Sequence, residues 1–172
     1  MGRIFAVANQ KGGVGKTTTA INLGASLAAN DLRVLVIDSD PQGNATTGLG
    51  VTKDPELPSL YHVLLGDADM ASAVVPTEFE GLDVVPADKN LVGANLELVD
   101  TAAREFRLRE KIATVRERYQ FILIDCPPAL DLLTLNALLA ADAVLVPIQC
   151  EFFALEGVSE LMDTIERIRT SF

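Results

Sequence analysis

The stretch Ala8-Asn9-Gln10-Lys11-Gly12-Gly13-Val14-Gly15-Lys16-Thr17-Thr18-Thr19 constrains this chain more than any other. An apolar run, Ile4 to Ala8, precedes it, and a helix-forming segment, Thr18 to Ala29, follows. A strand, a glycine-rich turn and a helix N-terminus together make a cradle for phosphate. Backbone N–H groups point inward there, and the helix dipole favours negative charge. Lys16 is placed to reach the β- and γ-phosphates of a nucleotide, and Thr17 to set its hydroxyl on Mg²⁺. The usual phosphate-loop pattern GxxxxGK[ST] is missed at its first position, where Gln10 stands. The turn instead carries a second lysine, Lys11, directly before Gly12 and Gly13.

The rest of the chain alternates apolar runs with helical periodicity. Ala20, Ile21, Leu23, Leu27 and Ala28 form the apolar side of the first helix, and Asn30-Asp31 ends it. Arg33 to Ile37 reads as a second strand, Gly81 to Pro86 as another, and Phe121 to Asp125 as a further one. Ala143 to Ile148 reads as one more buried strand. Ser59 to Leu65 and Leu132 to Ala141 read as helices, and Leu91 to Val115 as helix-rich. Gly48 to Pro58 reads as a polar linker. Leu155 to Ile168 carries Val158, Leu161, Met162, Ile165 and Ile168 at helical spacing, a stripe expected to face the core. Strands apolar on both faces that alternate with helices imply an α/β fold, a doubly wound and mostly parallel sheet flanked by helices. Ligands of such sheets bind beyond the carboxyl ends of the strands.

Two acidic motifs fall at those ends. Asp38-Ser39-Asp40-Pro41-Gln42-Gly43-Asn44-Ala45-Thr46 follows the second strand. Alone, its two carboxylates fit a helix cap or a turn. At the same sheet edge as Lys16, a carboxylate can instead orient the water that attacks a γ-phosphate, or hold Mg²⁺ through water. Asp125 closes the strand Phe121-Ile122-Leu123-Ile124, and an acid there, across from Thr17, can take a Mg²⁺-bound water. His62 has no cluster of partners in the sequence and reads as a structural or surface histidine rather than a catalytic one. Arg104, Arg107, Arg109 and Lys111 are interleaved with Glu105 and Glu110, which reads as a solvated, salt-bridged face rather than a nucleic-acid surface.

Composition narrows the classes further. A chain of 172 residues is long enough for one domain with a sizeable core, and 49% hydrophobic with 22% charged residues is globular, not disordered. No apolar run is long enough to span a membrane, and the chain opens directly into strand and motif without a basic leader. Two cysteines, Cys126 and Cys150, make no disulfide framework and fit a reducing cytosol. A net charge of −10 argues against a nucleic-acid surface spread over the whole chain.

The motifs ANQKGGVGKTTT, DSDPQGNATTGLG, FILIDCPP and PIQCEFFALEG closely resemble those of ParA/Soj-like partition ATPases, in the deviant-Walker-A ParA/MinD group. The resemblance covers the whole chain and implies a P-loop NTPase fold with ATP and Mg²⁺ as cofactors. It implies an ATP-binding loop of Lys11, Gly12, Gly13, Val14, Gly15, Lys16, Thr17 and Thr18, and a metal site at Thr17, Asp38 and Asp125. Asp40 is the implied catalytic carboxylate, with Lys16 and Lys11 as catalytic cations. Lys11 is expected to reach across an ATP-dependent homodimer to the other subunit's phosphates. The same likeness implies a cytoplasmic, nucleoid-associated protein. Its dimer binds DNA without sequence preference and is released when a ParB-type centromere-binding partner stimulates hydrolysis.

Members of that family usually continue for several more elements, so residues 1–172 are expected to be a single P-loop ATPase domain lacking its C-terminal part. The adenine-contacting loop and much of the basic DNA surface are expected in that part. Two alternatives remain at this stage. One is a MinD-like ATPase that cycles on membranes; the other is an iron-protein-like redox ATPase, which would need cysteines such as Cys126 and Cys150 to hold a cluster.

Overall fold

The second strand is the most deeply buried element of the computed structural model, which describes residues 2–52, 54–151 and 154–172. Strand β1 (Arg3–Val7) leads into helix α1 (Lys16–Ala28), and β2 (Val34–Asp38) into the short α2 (Asn44–Gly48). Helix α3 (Leu60–Leu65) precedes β3 (Val75–Pro76) and β4 (Leu82–Val85). Then come α4 (Leu91–Glu97), α5 (Arg107–Ala113), β5 (Phe121–Asp125), α6 (Leu132–Ala140), β6 (Ala143–Leu145) and α7 (Ala154–Ser171). Among the described residues the strands form one six-stranded sheet in the order β3-β4-β2-β5-β1-β6. All neighbours are parallel except the short β3, which runs antiparallel to β4.

Side chains of β2 point alternately to two cores, as a two-residue period requires. Leu35 and Ile37 join Ile4, Ile122 and Ile124 under α3, α4, α5 and α6. Val34 and Val36 join Leu82, Val84 and Leu123 under α1 and α2. Helix α1 lies close on its face because residue 24 is glycine: a Cβ there would come within 3.2 Å of Val36 Cγ2 and 3.3 Å of Leu82 Cδ1. Register then aligns the strand ends. Val7 and Asp38 are both level with Asp125, which puts the phosphate loop and two carboxylates on one edge.

Several expectations are corrected. Helix α1 starts at Lys16 rather than Thr18, because Gly15, left-handed at φ 90°, caps it and lets the turn pass straight into helix. The run 143–148 is not a buried strand: β6 stops at Leu145, Ala143 is exposed, and Val144 and Leu145 are half-buried. Pro147 has no N–H to extend the ladder beyond Leu145. The region 91–115 is helix-rich as expected: α4 and α5 are joined through a left-handed Ala103, φ 53°, and a short 3-10 turn at Arg104–Phe106. On α7 only Leu161 of the expected stripe is fully buried. Val158, Ile165 and Ile168 are half-buried, and Met162 is exposed. Phe152 and Phe153, part of the QCEFFALEG motif, lie outside the described residues. His62 is structural, as expected: its Nδ1 accepts from the backbone N–H of Ser59, 3.1 Å, and caps α3.

Candidate active site

The loop between β1 and α1 folds around its own backbone. Asn9, 5% exposed, accepts from the Lys11 N–H through Oδ1 at 3.0 Å and donates through Nδ2 to the Pro147 carbonyl at 2.9 Å. Gly13 and Gly15 take left-handed conformations, φ 72° and 90°. A Cβ on Gly12, Gly13 or Gly15 would meet nothing within 4 Å, so no side chain packs against these three positions. Lys16, in the first turn of α1, is buried and donates from Nζ to the Lys11 carbonyl at 2.9 Å. Burial holds its ammonium below the usual lysine range, against the opposing pull of Asp125 and Asp40. Lys11 is half-buried and its ammonium pairs with Glu151.

Asp125 sits opposite this loop and is fully buried. Thr17 Oγ1 donates to its Oδ2 at 2.8 Å, while its Oδ1 is buried without any hydrogen-bond partner. Burial pushes this carboxyl up to about 7. Asp38 and Asp40 add to the rise, and Thr17 and Lys16 oppose it. Asp38 is also fully buried and its carboxyl is raised, again chiefly by burial. It is well occupied: Oδ2 accepts from the Thr46 N–H at 2.8 Å and hydroxyl at 2.7 Å, and Oδ1 from the Asp40 N–H at 3.2 Å. Thr46 Oγ1 in turn accepts from the Ala87 N–H at 3.0 Å, which ties the 39–46 segment to the loop after β4. Asp40, half-buried, accepts from the Gln42 N–H at 2.9 Å.

Lys16, Thr17, Asp38, Asp40 and Asp125 thus lie together at one edge of the sheet, beside the glycine turn. Val14 is buried, and Thr18 faces outward on α1. Sequence reasoning missed Thr46, Asn9, Gln149 and Glu151 as members of the site. Thr46 lies inside the DSDPQGNAT motif, and its β-hydroxyl at the start of a short helix was the available signal. Cys126 is buried in the core below the site, where burial pushes its thiol up, and Cys150 is exposed. A buried neutral thiol is a poor start for a cluster ligand.

Asp125 makes a pH prediction. The folded chain keeps a proton on this carboxyl to about 7, whereas the unfolded chain releases it near 3.8. The native state therefore binds more protons between those values, and the stability this proton provides is lost as pH rises from about 4 to 7. Asp125→Asn in the ligand-free protein should melt several degrees above wild type at about pH 8, with the gap narrowing as pH falls and closing at about pH 4. A melting difference that is constant with pH would contradict the raised carboxyl.

A family profile described as an AAA domain matches residues 2–172. Over 171 residues the chain is 58% identical to the chromosome partitioning protein ParA of Caulobacter vibrioides, covering 98% of this chain and 64% of that protein. It is 52% identical over 169 residues to the sporulation initiation inhibitor protein Soj of Bacillus subtilis, covering 98% of this chain and 67% of Soj. Among solved structures it is similar to one described as cobyrinic acid a,c-diamide synthase from Mycobacterium smegmatis with bound ADP and magnesium. That match has a TM-score of 0.94 and 45% identity, over 99% of this chain and 69% of the other. The chain therefore spans roughly two thirds of the length of the proteins it resembles.

Proposed function

This chain belongs to the ParA/Soj-like family of P-loop ATPases, and from that premise and the site's geometry we propose that it binds and hydrolyses Mg²⁺-ATP as part of a DNA-partitioning ATPase. The observation that carries the proposal is the buried, unpartnered Oδ1 of Asp125 beside the Thr17–Asp125 hydrogen bond. A buried carboxylate oxygen with no partner costs about 1–3 kcal/mol or more, and a hydrated divalent cation at this edge would satisfy it. The glycine turn, left-handed at Gly13 and Gly15 and ending at the N-terminus of α1, likewise suits a phosphate chain. Support also comes from the M. smegmatis structure of the same fold, whose description includes ADP and magnesium. Partition is favoured over the synthase activity in that description because the partition-named relative is the more alike, at 58% against 45% identity.

Thr17 and Asp125 would hold Mg²⁺, with Asp38 behind them. The ion would act there as a Lewis acid that neutralises charge on the transferred phosphoryl group. The chain's own residues do the rest. Loop N–H groups and Lys16 bind and orient the phosphates, at the N-terminus of α1 where the helix dipole assists. Lys16 exchanges its bond to the Lys11 carbonyl for phosphate oxygens, so the neutral acceptor that shields a buried cation gives way to an anionic one. Asp40 orients the attacking water and accepts its proton. Asp38 keeps Asp40 in place through the backbone N–H it accepts. Lys11 supplies a cation to the phosphates of a second copy of the chain, which makes hydrolysis depend on dimerisation.

The further proposals concern the whole protein. ATP-bound dimers bind DNA without sequence preference, a ParB-type partner stimulates hydrolysis, and the protein works on the nucleoid in the cytoplasm. Among the described residues no helix is long and apolar enough to cross a membrane.

Sedimentation with Mg²⁺-ATP, with and without non-specific duplex DNA and at two salt concentrations, tests this reading. An ATP-dependent dimer whose DNA binding weakens with salt supports it. A chain that binds no nucleotide refutes it. Lys11→Ala should keep nucleotide affinity within about threefold and lose the dimer, because it removes the cation offered to the second copy together with an exposed Glu151 pair that contributes little. A mutant that dimerises normally with ATP would remove Lys11 from that role.

A further inference from the structure

The segment that leaves β6 does not continue the sheet but crosses the phosphate loop, and three contacts hold it there. Asn9 Nδ2 donates to the Pro147 carbonyl at 2.9 Å, and Gln149 Nε2 donates to the Gly13 carbonyl at 2.9 Å. At its far end Glu151 pairs with the Lys11 ammonium. The first two contacts are to backbone carbonyls and fix the segment in place. The third engages the one side chain of the loop that is charged, long and not buried. The loop's two lysines therefore differ in state: Lys16 is buried and turned inward, whereas Lys11 is tied to a carboxylate of the crossing segment.

We propose that Glu151 is a positioning residue that parks the Lys11 ammonium within its own subunit until nucleotide phosphates replace the carboxylate. The proposal rests on the reading of Lys11 as a phosphate-contacting cation. Its geometry suits an exchange. The Lys11 backbone N–H is held by Asn9 Oδ1, so the side chain can swing while its base stays still. Both partners are substantially exposed, 39% for the Lys11 side chain and 55% for that of Glu151. An exposed pair of this kind biases an equilibrium by no more than about fivefold, enough to hold a lysine at rest and too little to compete with a triphosphate. A parked Lys11 is also withheld from other anions, so a second copy without nucleotide finds no free cation on this loop. Because Gln149 and Asn9 hold the segment independently, neutralising Glu151 should free Lys11 without moving the segment.

Competitive amine labelling of the nucleotide-free 172-residue protein, read by mass spectrometry at Lys11, tests this. Lys11 should label about two- to fivefold faster in Glu151→Gln than in wild type, and added 0.5 M salt should shrink the contrast by speeding wild type. Gln149→Ala, which keeps the carboxylate, should label at the wild-type rate. Equal labelling of wild type and Glu151→Gln overturns the proposal. So does equally fast labelling of Gln149→Ala and Glu151→Gln, since displacement of the segment rather than the charge would then be responsible. Titration with a fluorescent ATP analogue separates the two readings. Failure of wild type to bind it refutes the phosphate role, whereas normal binding with equal Lys11 labelling refutes the parking alone.

Discussion

Asp40→Ala is expected to lower ATP turnover by about 100-fold or more while leaving nucleotide affinity within about threefold. The carboxylate stands two residues beyond β2, at the edge that carries Lys16 and Asp125. It is half-buried and fixed by the Gln42 N–H, and its backbone is fixed by Asp38. Among the described residues it makes no side-chain bond to the phosphate loop, so its loss leaves the loop standing. Removing a negative charge near Lys16 and Asp125 also relieves part of the repulsion that raises the Asp125 carboxyl, so the folded state should not suffer. Single-turnover hydrolysis alongside equilibrium binding decides the matter. Turnover near the wild-type rate would move the water-orienting role to another group.

Lys16→Ala should weaken ATP binding by about 100-fold or more, since it removes a buried cation whose bonds to charged phosphate are each worth about 1.5–3 kcal/mol. The same change should cost the ligand-free protein little. Its ammonium carries a desolvation burden, visible in its lowered proton affinity, and gives back a single bond to the Lys11 carbonyl. The signature is thus a melting temperature within a few degrees of wild type, with nucleotide-induced stabilisation gone. Retained stabilisation by ATP would contradict the role given to Lys16.

Much of this site was legible because its parts are local. A strand, a glycine turn and a lysine at a helix start are neighbours in sequence, and Asp38 and Asp125 each end an apolar run. What the run lengths could not tell was where a strand stops. Ala143 to Ile148 is one apolar run, yet β6 ends at Leu145, two residues before Pro147, which has no N–H for a ladder. Residues that join the site from far away stood within a quoted motif, PIQCEFFALEG, but nothing local said what they would touch. Glu151 meets Lys11 across 140 positions, and Gln149 meets Gly13 across 136. The break between α4 and α5 was equally silent, because it turns on a left-handed alanine rather than on glycine or proline. On α7 the periodicity was real, but only Leu161 found a fully buried place, so a helical stripe reported amphipathicity without reporting its depth.

The level register of Val7, Asp38 and Asp125 bears on how such a chain can diverge. Successive residues of a strand face opposite ways, so a single insertion or deletion within β2 or β5 would turn a site carboxylate into the core beneath one face. It would send an apolar side chain to the edge in exchange. Length changes are therefore excluded from the strands and confined to the connections, such as the stretch between α2 and α3. Divergent members of this lineage should vary in loop length while the count of residues along each central strand stays constant.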